Sequence, residues 1–188
     1  MKKLIILFMI FIFGSQFTFA DDLRSKVAGS NMSGLKTNKI DPDKHVYGIP
    51  WGISEDEFIK VWGDPIGYVR FNIQETGMVY GSRHIFLFND NKLSGVRITN
   101  GILDWQLSKK LMPNPIFDAI QWQLNNGIKE ETDLSKVKEI LGSSLSNERY
   151  EKYYETDRAK VTLNFSHYTN AGDNDEAFKV HAIMIEKK

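Results

Sequence analysis

A capped helical segment occurs twice in this chain, 79 residues apart, and that repetition narrows the choice of folds more than any other property of the sequence. The first copy opens with Ser54-Glu55-Asp56-Glu57. This is a capping box, in which the Ser54 hydroxyl accepts from the Glu57 backbone N–H while the Glu57 carboxylate reaches back. Its acidic first turn suits the positive end of a helix dipole. Phe58, Val61 and Trp62 then form one apolar stripe, Gly63 takes the C-terminal cap position, and Pro65 prevents continuation. The second copy runs from Asp133 as cap through Leu134, Val137, Ile140 and Leu141 to Gly142. A set of short extended runs follows each helix. After the first come Tyr68–Asn72, Met78–Tyr80, His84–Phe88 and Leu93–Thr99, with Asn89-Asp90-Asn91 as a tight turn. After the second come 149–155, Ala159–Ser166 and Phe178–Glu186. The pattern predicts an α+β fold of two tandem helix-plus-antiparallel-sheet units, of about four strands each, through duplication of one building block.

Around these units the chain divides further. Met1-Lys2-Lys3, the apolar run Leu4–Phe13 and the small residues Thr18 and Ala20 follow the order of a secretory signal peptide over residues 1–20. The apolar run is too short for a membrane-spanning helix, which needs about 20 such residues. Residues 21–45 are polar without sustained period and predict a flexible arm, with order starting near Val46. The first unit occupies 46–110 and the second 132–188. Between them, over 111–131, Asn114 and Pro115 open a helix expected to run through Asn126, carrying Ile116, Ile120 and Leu124 at every fourth position.

Composition excludes several functions. The chain has 24 basic and 24 acidic residues, and loss of the leader would leave a charge near −2, which offers no footprint for nucleic acid or an anionic membrane. No cysteine is present, so disulfides, thiol chemistry and a lipid-modified N-terminal cysteine are all closed off. His45, His84, His167 and His181 lack metal-ligand spacing, although His167 and His181 fall on strands flanking one loop. The acidic run Asp173-Asn174-Asp175-Glu176 lacks the twelve-residue calcium-loop pattern. There is no Gly-x-Ser-x-Gly elbow, Ser-x-x-Lys motif or phosphate-cradling glycine loop. No catalytic residue, cofactor or metal is therefore assigned. Aromatic residues lean instead toward recognition. Strand alternation sets Tyr150, Lys152 and Tyr154 on one face, opposite Arg149, Tyr153 and Glu155, and places Tyr68 and Arg70 together in the first unit. Tyrosine beside charge is enriched at protein-binding hot spots, so Tyr68, Arg70, Tyr150, Lys152 and Tyr154 are the candidate contact residues.

The string Gly52-Ile53-Ser54-Glu55-Asp56-Glu57-Phe58, then Val61-Trp62-Gly63-Asp64-Pro65, Tyr80 and Phe86-Leu87-Phe88-Asn89-Asp90-Asn91-Lys92-Leu93, resembles the beta-lactamase-inhibitory-protein-like fold. That fold is shared with a small outer-membrane assembly lipoprotein family. The likeness covers 49–99 well and 133–186 loosely; the second copy lacks a proline after Gly142, and the missing cysteine departs from the lipoprotein branch. The resemblance implies a non-catalytic module that binds another protein with the exposed face of its sheet. The expected protein is exported, periplasmic or secreted. It would bind an envelope protein or a secreted enzyme or toxin as an inhibitor or immunity-type protein. The alternatives are an outer-membrane assembly accessory, and a small-molecule binder or hydrolase.

Overall fold

The computed structural model describes residues 37–99, 114–148, 150–167 and 174–188. The expected signal peptide, most of the arm, Arg149 and Asp173 lie outside these residues. The fold is mixed α+β, and sheet dominates it. Strands β1 (Lys39–Asp41), β2 (His45–Val46) and β3 (Ile49–Pro50) precede helix α1 (Glu55–Trp62). Four strands follow: β4 (Gly67–Arg70), β5 (Glu75–Tyr80), β6 (His84–Asn89) and β7 (Lys92–Thr99). A one-turn helix α2 (Pro115–Asp118) and strand β8 (Gln123–Leu124) lead to helix α3 (Leu134–Leu141). Strands β9 (Glu151–Glu155), β10 (Ala159–His167) and β11 (Phe178–Lys187) close the chain.

Seven strands form one antiparallel sheet in the order β4-β5-β6-β7-β11-β10-β9, so the last strands of the two meanders lie side by side at its centre. The pleat sorts side chains into rows across it. One inner row reads Tyr68, Met78, Phe86, Val96, Ile185, Val161, Tyr154. Against this face pack Phe58 and Trp62 of α1 and Leu134 and Val137 of α3. The small sheet β3-β2-β1-β8 supplies Ile40, Val46, Ile49 and Leu124 to the same cluster. The opposite, outer face carries a smaller buried cluster, Ile66, Val69, Val79, Ile85 and Leu87, confined to the β4–β6 side.

Both helices form where expected, but they start differently. Ser54 and Glu57 make the full capping box, whereas the Asp133 side chain makes no cap bond. Asp133 sits 3.7 Å from the Lys179 ammonium, in a bridge between the helix start and β11. Three expectations are corrected. Among the described residues the second meander has three strands, with no counterpart of β4. Order begins before Val46: Ile40 is fully buried and β1 pairs in parallel with β8. The helix expected through Asn126 ends at Asp118, where the Asp118 carboxylate turns back to accept from the backbone N–H groups of Asn114 and Ser82. Beyond it Ile120, Trp122 and Leu124 are buried while Gln121 is exposed and Gln123 only half-buried. A recurrence of four is also a multiple of the strand period of two, and here the strand period won.

Candidate functional site

The five sequence-predicted contact residues lie at the two outermost strands of the main sheet, of which β9 has its outer backbone bonded to Ser146 at Tyr153, both ways at 2.9 Å. Tyr68 and Arg70 are on β4 at one edge, while Lys152 and Tyr154 are on β9 at the other, with Tyr150 just before it. Six strand spacings separate those edges, roughly 29 Å at the usual interstrand distance. The residues therefore form no single site.

At the β9 edge, Lys152 and Tyr154 face inward and are corrected as contact residues. They are 5% and 6% exposed and pair with the core residues Leu163 and Val161. Lys152 covers the core with its alkyl chain and donates its ammonium to the Glu148 carbonyl; desolvation lowers its pKa. The Tyr154 hydroxyl accepts from Asn126 at 3.4 Å, and burial pushes the phenol up to about 12. The outward residue is Tyr153, half-buried with the Lys160 ammonium 4.5 Å from its ring centroid. Tyr150 is exposed, at 50%, and its ring lies 5.8 Å from Phe178.

The β4 edge is different. Within six consecutive positions Tyr68, Phe71 and Ile73 are 36%, 45% and 90% exposed, and Arg70 is exposed beside them. Local chemistry holds them there. The Asn72 side-chain oxygen accepts from the backbone N–H groups of Gln74 and Glu75, both at 2.8 Å, and fixes the turn that thrusts Ile73 outward. Phe71 donates its backbone N–H to Glu75 at 3.0 Å, closing the hairpin base. Its ring lies over Gly77, where a Cβ would stand only 2.9 Å from the ring edge. Next to Phe71 is a hollow of about 220 Å³, bounded also by Glu75, Leu87, Arg97, Met184 and Glu186. Tyr68 points to the inner side, near α1. Partial burial, then the carboxylates of Glu55 and Asp64, raise its phenol pKa. Sequence reading reached Tyr68 and Arg70 but missed Phe71 and Ile73. The signal for them was two bulky apolar residues flanking a turn-forming asparagine.

A second constellation has the residue types of chemistry without the access. The Tyr47 hydroxyl and the His84 Nε2 are 3.0 Å apart, and both residues are fully buried. Tyr47 is in the left-handed backbone region at φ 56°, a position bulky residues seldom take. Desolvation, with Arg83 nearby, lowers the His84 pKa to about 3, so the ring is neutral. Arg83 ties the neighbourhood together, donating to the Thr99 carbonyl (2.9 Å), the Asp118 carbonyl (3.1 Å) and the Glu130 carboxylate (2.6 Å). Every one of these bonds is a structural tether between elements.

The remaining sequence candidates separate as well. His167 pairs with Phe178 on β11, three positions before His181, which puts the two histidines roughly 10 Å apart along the strands. In the acidic run, Asp175 pairs with Lys138 at 2.6 Å and the Asn174 side chain caps a short 3-10 turn. Among the described residues no group of three or more histidine or acidic side chains is placed to hold a metal. No described helix is long and apolar enough to cross a membrane.

No protein family and no curated protein matches this chain. A solved structure does: an extracellular protein containing an SCP domain from Bacillus anthracis strain Ames, 10% identical, aligned over 72% of this chain and 43% of that one, with a TM-score of 0.46. This chain therefore spans less than half of that protein, and at this level the likeness carries no argument about function.

Proposed function

We propose that this chain is an exported, non-catalytic protein-binding module of the cell envelope, and that it engages its partner along the β4 edge. The observation that carries this reading is the run Tyr68–Ile73. Three of the five exposed large hydrophobic residues among the described ones fall there, on a strand whose outer backbone edge no described strand pairs. An unpaired edge offers N–H and C=O groups to an extended segment of another chain, and flanking pockets then select its side chains. Phe71 and Ile73 add exposed apolar surface on the outer side of this edge and Tyr68 on the inner side, so a strand added there would meet apolar contacts on both of its faces. The complementary partner is an extended segment with apolar side chains for Phe71 and Ile73 and an acidic group for Arg70. An inhibitor or immunity-type role follows if that partner is a secreted enzyme or toxin.

The same reading treats the fold as a duplicated unit. Both helices are eight residues long, and both ends are offset by 79 positions, Glu55 to Leu134 and Trp62 to Leu141. The sheet order runs inward from each edge to the β7–β11 seam. Duplication supplies two edges, and the extra strand β4 differentiates one of them.

The test is affinity capture from envelope extract with the wild-type protein, a Phe71→Asp/Ile73→Asp variant and a Tyr150→Ser control. A specific protein retained by wild type and control but lost from the double variant supports the proposal. Retention by all three, or by none, would overturn it.

A further inference from the structure

The turns at one end of the main sheet enclose a cleft that the β4 edge does not touch. The β1–β2 turn contributes Asp43 and Lys44, the segment after β3 contributes Trp51, the β6–β7 turn contributes Lys92, and the β9–β10 turn and the end of β11 contribute Arg158 and Lys187. The cleft encloses about 520 Å³. Four of these side chains are cationic and one is anionic, in a chain whose total charge is zero.

The one carboxylate is already committed. Asp43 accepts from the Thr156 hydroxyl at 2.6 Å and the Arg158 backbone N–H at 3.0 Å, and the Thr156 bond leads in holding its pKa down. These bonds pin the β1–β2 turn of the first half to the β9–β10 turn of the second. Lys44 is held 3.5 Å from Asp41. Lys187 donates to the Pro42 carbonyl at 3.2 Å and lies 5.8 Å from the Trp51 ring centroid. The indole itself is fixed by its N–H, which donates to the Asp41 carbonyl at 3.1 Å. The Lys92 ammonium and the Arg158 guanidinium are exposed and make no ion pair among the described residues. Four cations against the single carboxylate of Asp43 on one concave wall leave an excess of positive charge, and a cleft focuses such a potential.

We propose that this cleft is a binding site for a ligand bearing clustered anionic oxygens, held by Lys92, Arg158 and Lys187 with Trp51 as its wall. Arg158 gives a planar, bidentate fork for such oxygens, whereas Lys92 and Lys187 act as point charges. Desolvation already lowers the Lys187 pKa, and a bound anion would favour its charged form. Because both halves of the chain line the cleft, occupancy would also brace the contact between the β1–β2 and β9–β10 turns. The site is independent of the β4 edge, and each proposal can fail alone.

Calorimetric titration of the purified protein with tripolyphosphate and, separately, with citrate tests the assignment. The expected result is saturable binding of at least one probe that weakens as salt is added. The Lys92→Glu/Arg158→Glu variant is expected to bind about tenfold more weakly or worse. Both positions are exposed, so its melting temperature should match wild type. Lys92→Gln, which adds no negative charge, gives a smaller loss, and Lys60→Glu on α1 gives none. Binding of tripolyphosphate alone points to a phosphorylated ligand, of citrate alone to a polycarboxylate, and of both to either source. No saturable binding of either probe, or binding unchanged by the charge reversal, would overturn the proposal.

Discussion

The two halves of the main sheet each set an eight-residue helix against an antiparallel meander, of four described strands in the first and three in the second, and fill it with different chemistry. Behind α1 the core is aromatic. Phe58, Trp62, Tyr80, Phe86 and Phe117 pack with ring centroids 4.7–5.8 Å apart. Behind α3 it is mostly aliphatic: Leu134, Val137, Val161, Leu163 and Ile183. The outer faces differ more. One outer row reads Val69, Gly77, Leu87, Gly95 through the first half, and then Glu186, Lys160, Glu155 through the second. Matched helix lengths and strand periods specify a scaffold, whereas the non-shared outer residues decide which edge offers apolar surface.

The largest effect should come from the aromatic cluster. Phe58→Ala is expected to cost about 3–5 kcal/mol, and Leu134→Ala, at the first residue of its helix, about 2 kcal/mol, both read from chemical denaturation. Equal losses would remove the energetic distinction between the halves. Acid should strike the first half next, through His84. Its folded pKa, about 3, lies below the usual 6.5, so the unfolded state binds more protons between those values. Stability should therefore fall as pH drops below 6.5, by up to about 1.4 kcal/mol per unit. A His84→Gln variant should lack that slope, and parallel stability curves for variant and wild type would contradict the burial argument.

The seam between the halves comes third. A Cβ at Gly95 would lie 2.6 Å from the Ile185 carbonyl oxygen, and backbone cannot give way as a flexible side chain can. Gly95→Ala should cost about 1–3 kcal/mol. Gly67→Ala, with open space around it, should be neutral or stabilise by about 0.4–1 kcal/mol. The helix starts give the smallest contrast. Ser54→Ala should cost about 1 kcal/mol by losing the capping box, and Asp133→Ala clearly less, since no cap bond exists there to lose. The Ser54 bonds also lower the Glu57 pKa, so that part of the stability holds above the ordinary carboxylate pKa and fades as pH falls through the lowered one.

Much of this scaffold was legible before the structure. Ser54, Glu57 and Gly63 act within one helical turn or two, and such local chemistry leaves a local trace. The β6–β7 hairpin was legible for the same reason: Asp90 and Asn91 take the positive φ values, 49° and 61°, that their turn demands. What depends on distant partners was not legible. Ile40 reads as part of a polar arm until β8 arrives beside it. The choice between the two faces of β9 was balanced, because tyrosine and charge occur on both; only Leu163 and Val161 on β10 decide that Lys152 and Tyr154 turn inward. The cationic cleft is further still from view, since its residues come from turns scattered between Asp43 and Lys187.

The proposed binding surface is the β4 edge, and the β9 edge is excluded from it. The direct measurement is the dissociation constant of the captured partner for wild-type protein, for Phe71→Asp/Ile73→Asp and for Tyr150→Ser/Tyr153→Ser. The expected result is a loss of at least about a hundredfold at the β4 edge, in the range of a lost hot spot, and no more than about threefold at the β9 edge. Equal losses at both edges, or a larger loss at β9, would contradict it.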